Sequence, residues 1–309
     1  MIIFASGRTD IPAFYSKWFV NRVRAGFVDV RNPYYNQQVT RYRLDQKVVD
    51  CLVFCTKNPE PMLEYLDELK NFPLYFHVTI TPYGKEVEPN VPDKNQVMEN
   101  FIKLSQKLGK DHVVWRYDPI FIDENYSVAA HIRFFKEMCE KLASYTNRCI
   151  ISFIDLYEKT KRNFPGVKEV SESDQKFIAG AFSSIAAKNG IQIESCAEKI
   201  DLTAQGVVPG ACVSKEIVEK LTNVRLKISA KSNLRKHCIC LPTRDIAYYN
   251  CCPHLCKYCY ANYDEKLVRK NYALHNPESS FLIGEAKSDD IVNIAKQESF
   301  KDQQLYLNL

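Results

Sequence analysis

The 309-residue chain is long enough for one large barrel domain or two ordinary ones, and its 46% hydrophobic and 26% charged residues are those of a soluble globular protein. A formal net charge of +5 permits an anionic substrate without demanding nucleic acid. No apolar run approaches the ~20 residues of a membrane span, so no membrane partner is expected.

Taken in order, Met1–Asp10 lacks a basic region followed by an apolar core and a small-residue cleavage site, so it does not read as a signal peptide. Six short apolar segments then recur: Ile2–Ser6, Cys51–Thr56, Leu74–Thr81, Val113–Tyr117, Cys149–Ile154 and Ile191–Cys196. Their β-branched and aromatic content and near-continuous hydrophobicity read as buried parallel strands. Between them lie helical stretches at Ala13–Ala25, Glu60–Leu69, Lys94–Leu108, Val128–Ser144 and Asp174–Lys188. This alternation predicts an α/β fold, a full or partial TIM-like (β/α) barrel of parallel strands over residues 1–200. A doubly wound open sheet is the alternative, weakened by the lack of a Gly-rich fingerprint after the first strand. Residues 201–285 read as a Cys-rich segment that completes the barrel, and 286–309 as a polar tail.

Polar residues mark the carboxyl ends of these strands. Arg8, Thr9 and Asp10 follow the first, and Thr56, Lys57 and Asn58 the second. His77, Thr79 and Thr81 alternate in the third; Arg116 and Asp118 end the fourth, Asp155 the fifth, and Glu194 and Cys196 the sixth. In a barrel they converge on the face where reactants bind. Arg8, Asp10, Lys57, Arg116, Asp118 and Asp155 are accordingly candidates for cofactor or substrate contacts. The bland reading is loop residues, or ion pairs such as Arg8–Asp10 and Arg116–Asp118.

The alternation breaks after Cys196. A short helix is expected around Ser214–Leu221, followed by a basic stretch with Arg225, Lys227, Lys231, Arg235 and Lys236 that reads first as solvated surface. Cys238 and Cys240 form a C-x-C, whose side chains share one side of an extended chain. With Cys196 and Cys212 they make a candidate set for an auxiliary [4Fe-4S] cluster or a structural zinc, against the plain alternative of buried thiols. Cys51, Cys55, Cys139 and Cys149 lie in apolar segments and read as core.

A strand expected at Ile246–Tyr249 leads into Asn250-Cys-Cys-Pro-His-Leu-Cys-Lys-Tyr-Cys-Tyr-Ala261. Here Cys252, Cys256 and Cys259 have the spacing C-x3-C-x-aromatic-C, with Tyr258 as the aromatic residue. Three thiolates can ligate three irons of a cubane and leave one open. A zinc knuckle on Cys256 and Cys259, or a ferredoxin-like C-x4-C-x2-C beginning at Cys251, are the other readings of the same residues.

The spacing resembles the signature of the radical S-adenosylmethionine (SAM) superfamily. That resemblance implies a [4Fe-4S] cluster on Cys252, Cys256 and Cys259, SAM on the free iron near Tyr258, and reductive cleavage to a 5′-deoxyadenosyl radical. It also implies an electron donor such as flavodoxin or ferredoxin. In that superfamily the motif follows the first barrel strand, whereas here it comes after six βα units, so a circularly permuted barrel is expected. Arg8-Thr-Asp-Ile-Pro-Ala13, Val30-Arg-Asn-Pro33, Thr56-Lys-Asn-Pro59, Trp115-Arg-Tyr-Asp-Pro119, Ser152-Phe-Ile-Asp-Leu-Tyr157, Ser195-Cys-Ala-Glu198 and Cys256-Lys-Tyr-Cys-Tyr-Ala-Asn262 further resemble the uncharacterised family called domain of unknown function 1848. Grouping of that family with spore photoproduct lyase-like proteins implies a nucleic-acid substrate by association alone. The end of the chain, Gln304-Leu-Tyr-Leu-Asn-Leu309, resembles a bacterial sliding-clamp docking motif; the alternative is a tail folded back on its own domain. Clustered cysteines without an export signal favour a cytoplasmic location.

Overall fold

The structure is a computed structural model and describes residues 1–228 and 238–302. Its strands, in chain order, are β1 (Ile2–Phe4), β2 (Phe27–Arg31), β3 (Gln38–Arg43), β4 (Cys51–Thr56), β5 (Leu74–Thr79), β6 (Val113–Ile120), β7 (Arg148–Phe153), β8 (Gln192–Cys196), β9 (Val208–Gly210), β10 (Thr243–Asp245) and β11 (Ile291–Ile294). The helices are α1 (Ile11–Phe14), α2 (Ser16–Ala25), α3 (Leu66–Leu69), α4 (Lys94–Leu108), α5 (Val128–Leu142), α6 (Glu158–Asn163), α7 (Glu172–Lys188), α8 (Lys215–Thr222) and α9 (Glu265–Tyr272).

All six apolar runs become strands of one eight-stranded sheet, in the order β10-β1-β4-β5-β6-β7-β8-β9. Every pairing in it is parallel. Runs such as Cys51-Leu-Val-Phe-Cys-Thr56 are apolar throughout because both sheet faces are covered. Leu52, Phe54, Phe76, Trp115, Tyr117 and Ile151 point to one face and pack with residues of α2, α4, α5 and α7. Ile2, Cys51, Val53, Tyr75, Val114 and Ile150 point to the other, where Cys196, Val213, Val218 and Leu241 cover them. Among the described residues β9 and β10 remain at opposite edges, so the architecture is an open sheet compatible with a partial barrel and not with a fully closed one.

Local chemistry sets the helix boundaries. Asp10, Asp93, Ser127, Ser171, Ser214 and Asp264 each cap a helix N-terminus through the side chain. The helix expected from Ala13 to Ala25 is split at Tyr15, whose φ of −135° is not helical and whose hydroxyl donates to the Cys251 carbonyl. The first part of Glu60–Leu69, Glu60–Tyr65, is a 3₁₀ turn, and only Leu66–Leu69 is α-helical. The strand expected at Ile246–Tyr249 lies instead at Thr243–Asp245. Asp245 Oδ1 accepts the Ala247 amide at 2.8 Å, and this local bond turns the backbone out of the ladder.

A second sheet, β11-β3-β2, has no counterpart in the sequence reading. Its β11 falls inside the stretch read as a polar tail and pairs in parallel with β3. Among the described residues no helix is long and apolar enough to cross a membrane. The clamp-like Gln304–Leu309, together with Lys231, Arg235 and Lys236, lies outside the described residues.

Candidate metal centre

Because the large sheet is parallel, its strands end at one edge, and the candidate residues follow those ends. At the β10 end begins the loop with Cys252, Cys256 and Cys259. Asn250 and Leu255 in that loop adopt left-handed backbone angles, φ 55° and 56°, a strained choice for a branched residue immediately before Cys256. The loop closes through the Asn250 amide to the Ala261 carbonyl at 3.0 Å and the Asn262 carboxamide to the Cys252 carbonyl at 2.9 Å. A turn from another part of the chain holds it. The Lys257 amide donates to the Val87 carbonyl at 3.0 Å, and the Asn90 side chain donates to the Pro253 carbonyl at 2.7 Å.

The three thiols lie within electrostatic reach of one another. Burial raises the proton affinity of all three, so they are neutral without a metal and would release protons on binding one. The Lys57 ammonium partly opposes that effect at Cys256. Among the described residues no three His, Cys, Asp or Glu side chains surround a point suited to a single metal ion. Cys251 is not part of the group: it is fully buried on the helical side, and its thiol donates to the Tyr248 carbonyl at 3.1 Å.

Several predicted residues brace this loop. Asp10 is fully committed, its Oδ1 to the Ala13 amide at 3.0 Å and its Oδ2 to the Lys57 amide at 2.7 Å and His254 Nε2 at 2.9 Å. It therefore ties the β1 and β4 ends to the middle of the cysteine loop. Arg8 reaches Asp245 at 3.3 Å, rather than Asp10, and lies 4.9 Å from the Tyr249 ring centre. Lys57 Nζ sits 2.7 Å from Glu88 and 5.4 Å from the centre of the Tyr258 ring. Glu88 also accepts from Lys94, from the Tyr258 hydroxyl and from Thr81 Oγ1, the last at 2.8 Å. Burial pushes the Glu88 carboxyl up, but the two ammonium groups outweigh it and hold it down at about 2.

Arg116 and Asp118 pair with each other, as the bland reading had it, and stand beside the second thiol set: Arg116 donates to Cys212 Sγ at 3.0 Å. Asp118 also accepts from Ser152 Oγ. Asp155 is exposed and accepts from the Tyr157 hydroxyl at 3.2 Å.

Glu88, Lys94, His254 and Glu198 were not singled out from the sequence. His254 stands inside the cysteine motif, so its position was a signal; Glu88 lies in a charged loop whose pattern gives no hint of burial. Glu198 accepts the Phe153 amide at 2.9 Å between the ends of β7 and β8, and burial raises its carboxyl to about 7. An open cleft of about 410 Å³ borders the loop, lined by residues including Asn90, Asn163, Cys256, Asn262 and Arg269. Its size is within the range of small-molecule sites. Asn262 Oδ1 is buried without a hydrogen-bond partner.

No curated protein matches the chain. A crystal structure described as a "putative alpha-L-fucosidase" from Bacteroides thetaiotaomicron aligns with 58% of this chain and 73% of that one, at 10% identity and a TM-score of 0.26. A likeness that slight carries no argument about fold or activity. The family model described as "Domain of unknown function (DUF1848)" matches residues 2–261, and the chain belongs to that family.

Proposed function

We propose that the protein is a radical SAM enzyme acting on a substrate of unassigned class, with nucleic acid as one candidate. Cys252, Cys256 and Cys259 would hold a [4Fe-4S] cluster, and the cleft beside Cys256 would receive part of SAM. The observation that carries this reading is one of placement. The strand entering the three-cysteine loop lies at the sheet edge next to β1, the position a first barrel strand would take, although it comes late in the chain.

The residues fit the group on two counts. The thiols of Cys252, Cys256 and Cys259 lie within electrostatic reach of one another while Cys251 is turned to a backbone carbonyl, which would leave three protein ligands and not four. The adjoining cleft, which Cys256 and Asn262 both line, is of a size to receive part of a small ligand.

When bound and reduced, such a cluster supplies the electron that cleaves SAM. The chain's own residues do simpler work. Lys57, fixed by Glu88, places a buried positive charge beside Cys256 and favours the thiolate state. Asp10 and His254 set the loop's orientation from behind. Glu198, half-neutral near pH 7, can hold or release a proton at the mouth formed by the β7 and β8 ends. A thiolate-bound cluster of this kind suits a reducing compartment such as the cytoplasm and an electron donor such as flavodoxin or ferredoxin.

The test is anaerobic reconstitution of wild type beside Cys256→Ala. Expected for wild type are four-iron loading, a spectral change on adding SAM, and 5′-deoxyadenosine after reduction; Cys256→Ala should show none of the last two. A wild type that binds zinc at these cysteines, or loads iron without cleaving SAM, supports instead a non-SAM metal module for nucleic-acid binding or electron transfer.

A further inference from the structure

The face of the sheet opposite the packed helices carries a second collection of sulfur atoms, built from segments distant in sequence. Cys196 ends β8, Cys212 follows β9, and Cys238 and Cys240 precede β10. Cys196 Sγ and Cys212 Sγ are 3.4 Å apart, and the Cys212 amide donates to Cys240 Sγ at 3.2 Å. The Cys238 and Cys240 thiols are in turn within hydrogen-bonding reach of each other. In a tetrahedral site with metal–sulfur bonds of about 2.3 Å, neighbouring sulfurs lie about 3.8 Å apart. The Cys196–Cys212 contact is close to that spacing; a cubane would spread its ligands over separate corners.

Two further features surround these thiols. Arg116 donates to Cys212 Sγ at 3.0 Å, and Arg148, paired with Glu194, donates to the Ala211 carbonyl at 3.1 Å. His77 is fully buried against the Cys212 backbone; burial and the two guanidinium groups oppose its protonated form, while the Cys212 carbonyl favours it.

We propose that Cys196, Cys212, Cys238 and Cys240 bind one thiophilic divalent ion of the zinc class in a closed four-thiolate site. The site is separate from the Cys252, Cys256 and Cys259 loop and independent of SAM chemistry. Its four thiols lose their protons to solvent on binding, and the two excess negative charges face the guanidinium groups of Arg116 and Arg148. Among the described residues no three such donors surround one point, so binding requires the Cys238 and Cys240 side chains to turn towards Cys196 and Cys212. The ion joins β8 to the segments that cover this face of the sheet, a structural role.

The test compares full-length protein with Cys252→Ala/Cys256→Ala/Cys259→Ala, both made with zinc supplied and dialysed against a weak chelator. Each should retain about one equivalent of zinc by elemental analysis. Cys212→Ser/Cys240→Ser should lose it, while Cys139→Ser, which removes a buried thiol elsewhere, should keep it. A triple variant without zinc, a Cys212→Ser/Cys240→Ser protein with undiminished zinc, or iron with labile sulfide in the triple variant overturns the proposal. If the Cys212→Ser/Cys240→Ser protein fails to fold, cobalt is titrated into metal-free triple variant. Strong thiolate-to-cobalt charge-transfer absorption supports the site, and its absence overturns it.

Discussion

Glu88 shows how a single side chain can organise the neighbourhood of a reactive loop. It is completely buried and accepts from two ammonium groups, a phenol and a threonine hydroxyl, joining β4, the turn after β5, α4 and the cysteine loop. Its folded carboxyl is held at about 2 against an ordinary value of 4.5, so its stabilising share is present above about pH 4.5 and fades as pH falls towards about 2. Glu88→Gln leaves Lys57 and Lys94 buried without an anion, at roughly 3–5 kcal/mol at pH 7. Urea unfolding at pH 7, 4 and 3 should show the gap between variant and wild type narrowing with acid; an equal gap at all three refutes the charge argument. Glu198 works in the opposite sense. Burial raises it to about 7, so its folded state favours the neutral acid, and the associated stability is lost as pH rises from about 4.5 through 7. Glu198→Gln should therefore melt higher than wild type at pH 8, by about 2–4 °C for each kcal/mol relieved, and alike at pH 4.

At the scale of elements, the weak point is β10, three residues long and, among the described residues, paired on one side only. It is registered by Asp245, whose carboxylate takes Arg8 at 3.3 Å and the Ala247 amide at 2.8 Å. A methyl group at Gly7 would collide with that carboxylate, and the two partners leave it little room to turn away. Gly7→Ala should cost about 1–3 kcal/mol, open the cysteine loop to proteolysis, and lower iron loading without changing the far-ultraviolet spectrum. Unchanged iron loading and protease resistance would show that β10 is anchored by other means. The sequence displayed six of the eight strands of the main sheet, because a strand covered on both faces is largely apolar along its length, as in Leu74-Tyr-Phe-His-Val-Thr79; it missed the short edge strand β9 and set β10 a few residues late. It hid β3 and β11, since Gln38-Val-Thr-Arg-Tyr-Arg43 is half polar and Ile291-Val-Asn-Ile294 is exposed at an edge. The three cysteines were legible by spacing alone. Their supports were not, because burial of Glu88 or Lys94 follows from where distant segments land, which no local pattern encodes.

At the scale of the molecule, spatial order and chain order disagree at one place. Strand β10 enters from late in the chain to lie beside β1, while the segment after β11 returns to the start: the Glu298 carbonyl accepts from the Met1 amine at 2.7 Å, and the Phe300 amide donates to Asp50 at 2.8 Å. Joining Asp302 to Met1 by a short Gly/Ser linker and opening the chain between Ile228 and Cys238 would make chain order follow sheet order, with β10 and its cysteines first. Side-chain contacts in the sheet are indifferent to which peptide bonds carry the connectivity, provided the joined ends are close. The permutant should fold to the same circular-dichroism spectrum, melt within about 5 °C of wild type, and take up the same iron on reconstitution. Folding with lost iron uptake would place the new termini in conflict with the cysteine loop. Failure to fold would show that β10 docks only onto a sheet already completed by the strands that precede it in the natural chain.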